Sequence, residues 1–281
     1  MKKILVPTDF SANADKALEF AVQIARKAKA TIVLVHACDL LELTFKDNLG
    51  LKKEYNRNLV KDAKEKLALY KDSIKETENV KVHVRLYKGL ITDTILYAAK
   101  AHAADMIIMG TLGNASVKEK ILGSKTAHVI SKTNIPVLAV PLLSEWAVPS
   151  NILLAINNFN EGREPVVRPV LELAALFKAA VTVARFSAAR SIAPHKLVTM
   201  ERSGKNYARK LQSFSPQPGI SFIQLDGSRF EKVMEKYITA NHIDMIAMIT
   251  HKRNFVKSIF RRSLAKKMSY HTSVPLLAIP L

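Results

Sequence analysis

The chain repeats itself at a fixed interval, and this feature constrains its fold more than any other. Residues 105–141 align with residues 244–280 at a constant offset of 139 without a gap, and 13 of the 37 pairs are identical. The identities include the triplet Asp105-Met106-Ile107, which matches Asp244-Met245-Ile246. Self-similarity of this extent predicts two copies of one structural unit.

The same relation returns near the start of each copy, where residues 4–9 face residues 152–157. Between the copies lies the stretch 144–150, which contains Trp146 and Pro149. We therefore predict two domains of ordinary size, residues 1–146 and residues 147–281.

Composition favours some environments and partners over others. The formal net charge of +19 suits phosphate-bearing partners, and it also suits simple solubility. Cys38 is the single cysteine, so the chain has no internal disulfide framework and fits a reducing compartment. No apolar stretch approaches the ~18 residues of a membrane span. We expect a cytoplasmic protein that neither spans nor binds a membrane.

Short apolar runs alternate with longer segments of helical period in the first copy, a pattern typical of βαβ units. The five predicted strands are 4–8, 31–36, 80–86, 106–109 and 136–140. Ser11 is a predicted N-cap of the first helix. Residues 59–74 carry the spacing of a later amphipathic helix, and residues 39–50 are predicted to form a loop.

Residues that favour phosphate binding follow the predicted fourth strand. In an open parallel sheet, ligands bind beyond the carboxyl ends of the strands. There, Gly110 and Gly113 leave backbone amides bare for phosphate oxygens, and glycine also tolerates positive φ without the penalty that a Cβ brings. Gly123 and Ser124 then open a helix whose N-terminus favours anions. The residues that follow the first and second strands should converge on this loop.

This combination resembles the universal stress protein family. The motif Gly-x2-Gly-x9-Gly-Ser is complete at residues 110–124, and Pro-Thr-Asp-Phe-Ser follows the first strand at residues 7–11. The resemblance covers nearly the whole chain and is motif-specific in the first copy. It implies an α/β fold of two tandem flavodoxin-like (adenine nucleotide alpha hydrolase-like) domains, each a five-stranded parallel sheet with helices on both faces. In the glycine-motif branch it also implies ATP, with Mg²⁺ or Mn²⁺ on the phosphates.

The resemblance also implies roles for individual residues. Asp9 resembles the polar contact to the nucleoside, and Ala37 occupies the place whose backbone meets the adenine. Asn114 stands where a basic residue is common, so phosphate affinity should depend more on backbone amides and on Lys118 or Lys120. Asp9 has an alternative reading as a cap of the first helix. The residues assigned to the nucleotide are Pro7, Thr8, Asp9, Ala37, Gly110, Gly113, Gly123 and Ser124.

Other chemical motifs are missing from the sequence. Residues 123–126, Gly-Ser-Lys-Thr, differ from a P-loop because lysine does not directly follow the glycine. The eight histidines lack metal-ligand spacing, so we expect no protein-built metal site. No catalytic constellation is present, and slow ATP hydrolysis or autophosphorylation is the enzymatic alternative.

The second copy replaces the phosphate loop. Gly110, Gly113 and Gly123 become Ile249, Lys252 and Arg262, while Asp9 becomes Asn157. These changes predict loss of the second nucleotide site. Residues 251–267 hold seven Lys or Arg and no acid, so nucleic-acid or anion binding is an alternative function. We favour a solvated basic face, because neither a regular aromatic-interleaved pattern nor a recognition-helix pattern accompanies the charge.

The sequence as a whole predicts an ATP-binding stress-response protein. Its N-terminal domain would bind the adenine nucleotide, and its C-terminal domain would be structural or bind a partner. The apolar last strands, 137–140 and 276–279, should pair the two domains about a pseudo-twofold axis, because such edges rarely stay bare. Whole chains could pair further as a homodimer.

Overall fold

The computed structural model describes residues 1–40, 49–111, 123–160, 162–188, 194–215, 219–250 and 274–281. The elements of the first repeat are β1 Lys3–Pro7, α1 Ala12–Ala28, β2 Thr31–Cys38, α2 Leu49–Glu78, β3 Val82–Lys88, α3 Ile91–Ala101, β4 Met106–Gly110, α4 Ser124–Lys132 and β5 Val137–Val140. Those of the second repeat are β6 Asn151–Ile156, α5 Glu164–Phe177, β7 Ala180–Ala188, α6 Pro194–Phe214, β8 Ile220–Gly227, α7 Phe230–Ala240, β9 Met245–Thr250 and β10 Leu276–Pro280.

These ten strands form one continuous sheet in the order β3-β2-β1-β4-β5-β10-β9-β6-β7-β8. Strand pairs within each repeat are parallel, and the two halves meet through the antiparallel pair of β5 and β10. Leu277 lies opposite Leu138 in this pair, and both side chains are fully buried. The predicted five-stranded parallel sheets and their pairing through the last strands are confirmed.

Helices cover both faces of the sheet, as predicted. On one face, apolar residues of α1, α2, α5 and α6 pack with the strands into one buried cluster. On the other face, α3, α4 and α7 contribute to a second cluster. Each cluster draws residues from both repeats, so the hydrophobic core continues across the junction.

Capping chemistry sets the ends of α1. The Ser11 hydroxyl accepts a hydrogen bond from the Ala14 amide at 3.3 Å, which confirms Ser11 as the N-cap. The helix ends at Lys29, whose φ of 52° is left-handed, and α5 ends in the same way at Lys178 with φ 58°.

The prediction of a loop over residues 39–50 is wrong at its C-terminal end, because α2 already begins at Leu49. Residues 41–48 lie outside the described part.

An aspartate conserved between the repeats ties each first strand to its sheet. The Asp105 carboxylate accepts from the amides of Lys2 at 2.5 Å and Lys3 at 2.8 Å. Asp244 accepts in the same way from the amides of Ser150 at 2.7 Å and Asn151 at 2.8 Å. The identity of these two aspartates therefore reflects a shared structural role.

The connection between the repeats is anchored by Trp146. Its ring lies 5.0 Å from that of Phe20 on α1 and 5.9 Å from that of Phe177 on α5, with edge-on geometry in both pairs. The indole thus bridges a helix of the first repeat and a helix of the second.

Candidate functional site

A cavity of about 320 Å³ opens at the carboxyl ends of the strands of the first repeat. This is the edge of the sheet at which open α/β proteins bind ligands. The cavity brings together seven of the eight predicted site residues, and Gly113 lies outside the described part. The lining residues are Pro7, Thr8, Asp9, Ala14, Val35, Ala37, Ile91, Ile95, Met109, Gly110, Gly123, Ser124, Lys125 and Thr126.

The turn that follows β1 is fixed by its own side chains. The Thr8 amide donates to the Val35 carbonyl at 2.8 Å, and the Phe10 amide donates to the Thr8 hydroxyl at 3.0 Å. The Asp9 carboxylate accepts from both the amide and the hydroxyl of Ser11. Asp9 therefore supports the helix cap indirectly, while its exposed carboxylate also lines the cavity. The two readings of Asp9 are compatible.

The backbone of Ala37 faces an open edge of the sheet. In β2, the Val35 carbonyl points toward β1 and the Cys38 carbonyl points toward β3, where it accepts from Gly89. Backbone groups of a strand alternate between its neighbours, so the amide and carbonyl of Ala37 point to the β1 side. Because β1 ends at Pro7, the partner of Val35, no strand residue stands opposite Ala37 there. These groups can bind the edge of a planar ring.

At Gly110, glycine is required by the close packing of a neighbouring helix. Among the described glycines, positive φ occurs at Gly89 and not at Gly110, so backbone conformation is not what requires glycine at this residue. A Cβ at Gly110 would instead meet the side chain of Asn13 and would lie 2.7 Å from its backbone oxygen. Close packing of α1 against the end of β4 therefore excludes any side chain at Gly110.

The N-terminus of α4 faces the cavity without a side-chain cap. Gly123 is the N-cap residue and supplies no side-chain hydrogen bond, and the first turn carries no acid. The first amides of a helix have no partner within the helix. The Thr126 hydroxyl donates to the Gly110 carbonyl at 2.7 Å, which fixes this turn against the end of β4. The exposed residue Ser124 lies at the mouth of this anion-favouring position.

Several lining residues were missed by sequence reasoning. Val35, Ile91, Ile95 and Met109 form apolar walls, and their signal was their position at the ends of β2 and β4 and the start of α3. Lys125 was also missed, because in the sequence it stands out only within residues 123–126, which fail the spacing of a P-loop. Asp9 and Lys125 are the one acid and the one base in the described lining.

The residues present fit a nucleotide with its cation. Apolar walls suit a base, and the uncapped start of α4 and a lysine suit phosphates. Within the described ranges, no group of three or more His, Cys, Asp or Glu side chains could hold a metal ion. A divalent cation bound through phosphates needs only one or two protein carboxylates, and Asp9 could provide one. Asn114, Lys118 and Lys120 fall outside the described residues.

Among the described residues, those at the equivalent position in the second repeat leave little space. The cavity there measures about 20 Å³. In the first repeat, Pro7 pairs with Val35, and Ala37 lies two residues further along β2. In the second repeat, Ala155 pairs with Ala184, and Phe186 lies two residues further along β7. Phe186 therefore corresponds to Ala37. The Phe186 ring contacts that of Phe230 edge-on at 4.9 Å, and Phe230 replaces Ile91 as the first residue of its helix.

Sequence reasoning placed the loss of the second site in Ile249, Lys252 and Arg262. Ile249 lines the remaining cavity, and the two basic residues lie outside the described part. The missed signal was the exchange of Ala37 and Ile91 for phenylalanines, which becomes visible once the strands are aligned by register.

The structure contains no helix long and apolar enough to cross a bilayer within its described ranges. The basic segment 251–267 lies outside those ranges.

Comparisons with known proteins agree with this architecture. The chain is 34% identical over 155 residues to Universal stress protein MJ0577 of Methanocaldococcus jannaschii, covering 50% of this chain and 94% of that protein. It is 30% identical over 139 residues to Universal stress protein MJ0531 of the same organism, covering 50% and 81%. Each relative thus spans about one repeat.

A solved structure shares the tandem fold. The crystal structure of a universal stress protein from Archaeoglobus fulgidus superposes with a TM-score of 0.76 at 18% sequence identity, covering 99% of this chain and 98% of that one. The model of the universal stress protein family matches residues 1–141 and residues 150–280, which together make up almost the entire chain. With both repeats matched and the tandem fold shared, the chain belongs to the universal stress protein family.

Proposed function

We propose that the first repeat binds an adenine nucleotide, ATP, with Mg²⁺ or Mn²⁺ on its phosphates, and that this binding underlies a role in the stress response. The observation that carries the proposal is the cavity at the strand ends. It gathers the backbone of Ala37, the turn at Asp9 and the first turn of α4 around about 320 Å³ of space. Ligand sites in proteins have volumes of roughly this size.

Each part of the cavity suits one part of the nucleotide. The apolar walls at Val35, Ile95 and Met109 suit the adenine ring, and the open backbone edge of Ala37 suits its polar rim. The exposed Asp9 carboxylate suits the ribose hydroxyls or a cation. Gly123 and Ser124, at the start of α4, suit the phosphates. When bound, the divalent cation would neutralise phosphate charge.

In this proposal the chain is a nucleotide-responsive protein of two domains, residues 1–146 and 147–281. The first domain would bind ATP in the cytoplasm, and the second would complete the sheet and present a partner surface. Hydrolysis is not part of the proposal.

The second repeat suggests a direct test. The variant Ala37→Phe introduces into the first cavity the residue that β7 carries at the same register position. We expect the fold to survive, because the second repeat accommodates Phe186 there. We expect calorimetric ATP affinity to fall at least about tenfold, because the ring would occupy the space of the adenine.

The matched control is Cys38→Ser, which copies the next residue of the second repeat, Ser187. Adjacent residues of a strand point to opposite faces, so this change does not alter the cavity lining and should preserve ATP binding. Unchanged ATP affinity in a folded Ala37→Phe protein would show that the cavity is not the nucleotide site.

A further inference from the structure

The one base in the described cavity lining, Lys125, occupies an unfavourable place for a cation. It is the second residue of α4, in the turn where the helix dipole is positive. Its side chain is exposed and lines the cavity with Gly123 and Ser124. No acid lies in the first turn of α4, and Lys125 forms no ion pair with any residue that the structure describes.

A cation at the positive end of a helix is repelled, whereas the same residue at the other end is stabilised. Lys132 illustrates the favourable case at the last turn of the same helix. The position of Lys125 therefore becomes electrostatically favourable when an anion lies between its ammonium group and the uncapped amides. That anion would be held from two sides, by the backbone dipoles and by a mobile point charge.

The geometry around α4 keeps Lys125 close to the end of β4. The bond from Thr126 to the Gly110 carbonyl, 2.7 Å long, joins the first turn of α4 to the end of β4. Lys125 and Gly110 therefore line one cavity from adjoining elements. In the second repeat, where the cavity is filled, the aligned residue is Leu264. The lysine occurs in the repeat that has the space for a ligand.

We propose that Lys125 binds the phosphate chain of the ligand and makes the site selective for polyphosphates over nucleosides. The inference rests on the proposed nucleotide function and adds a residue to it. Lys125 is a binding residue, and no chemical step is assigned to it.

The test compares ligands of decreasing charge on the full chain. Isothermal titration calorimetry with ATP, AMP and adenosine is carried out on the wild type, Lys125→Met and Lys125→Arg. Methionine keeps the length of the side chain and removes its charge. We expect Lys125→Met to weaken ATP binding by about tenfold or more, which corresponds to the loss of one charge-assisted hydrogen bond. Adenosine affinity should be unchanged, and Lys125→Arg should retain most of the ATP affinity.

Lys132→Met is the matched control, since it removes an exposed lysine from the other end of the same helix and should leave all affinities unchanged. In the absence of ligand, Lys125→Met should raise Tm and Lys132→Met should lower it, as the helix dipole requires. These opposite shifts show that both variants are folded.

Two results would overturn the inference. One is ATP affinity in Lys125→Met within twofold of wild type, and the other is an equal loss for ATP and adenosine. If the wild type bound neither ATP nor adenosine, the proposed function itself would be overturned, and no variant would show binding either. If the wild type binds ATP and Lys125→Met binds it equally well, only the inference about Lys125 fails.

Discussion

The Nδ1 atom of His36 lies 2.8 Å from the carbonyl oxygen of Thr8. This contact joins the far face of β2 to the turn at the cavity mouth. The imidazole also stacks on Phe10, with ring centroids 4.5 Å apart. Phe10 has a left-handed φ of 60°, which is unfavourable for a residue with a Cβ. Through these contacts with Thr8 and Phe10, His36 stabilises a strained turn.

Burial lowers the pKa of His36 from its ordinary value of 6.5, and repulsion by Lys66 adds to this effect. The hydrogen bond to Thr8 and the charge of Asp9 oppose it only in part. The folded protein therefore favours the neutral ring. The stability that this ring contributes is fully present above pH 6.5 and is lost as the pH falls toward the lowered pKa.

We predict that wild-type Tm decreases more between pH 7.5 and pH 5.5 than the Tm of His36→Asn, measured by differential scanning calorimetry. Asparagine retains a donor near the Nδ1 position and does not titrate. At neutral pH, His36→Leu should cost about 1 kcal/mol of unfolding free energy, because the Thr8 carbonyl loses its donor. The same pH slope in wild type and His36→Asn would contradict this role.

Gly110 should tolerate no side chain. We predict that Gly110→Ala lowers the unfolding free energy by about 1–3 kcal/mol, because the added methyl overpacks Asn13. Chemical denaturation of this variant is compared with Gly219→Ala, where a new Cβ would meet no atom within 4 Å. Adding Asn13→Ala to Gly110→Ala should recover part of the loss. Equal stability of the two glycine variants would show that the contact with Asn13 is relieved at little cost.

Periodicity and repeat matching were sufficient for the alternating strands and helices of the first repeat and for the existence of a second repeat, because apolar runs and capping residues such as Ser11 encode local structure directly. The cavity was found from residues that follow strands. The role of Gly110 could not be read this way, since Asn13 reaches it only through the packing of α1 on β4. The filled second cavity depended on the register of β7, which places Phe186 where Ala37 stands.

The junction of the repeats depends on Leu138 and Leu277, which face each other across the antiparallel pair. We predict that Leu138→Lys combined with Leu277→Lys separates the two halves, because two unpaired cations would be buried side by side. Small-angle scattering should then show a larger radius of gyration. Leu69→Lys, at a site that is 70% exposed, is the control and should scatter as wild type. A compact double variant would mean that the halves are held elsewhere.

The two repeats are proposed to differ in function, because one binds a nucleotide and the other has lost that ability. Native mass spectrometry of the intact chain with excess ATP and magnesium tests this difference most directly, because it counts ligands on each molecule. We predict one nucleotide per chain, and none in Gly113→Val, whose side chain would block the approach of phosphates to the loop. Saturation at two nucleotides, with the second retained in Gly113→Val and lost in Arg262→Ala, would contradict the account.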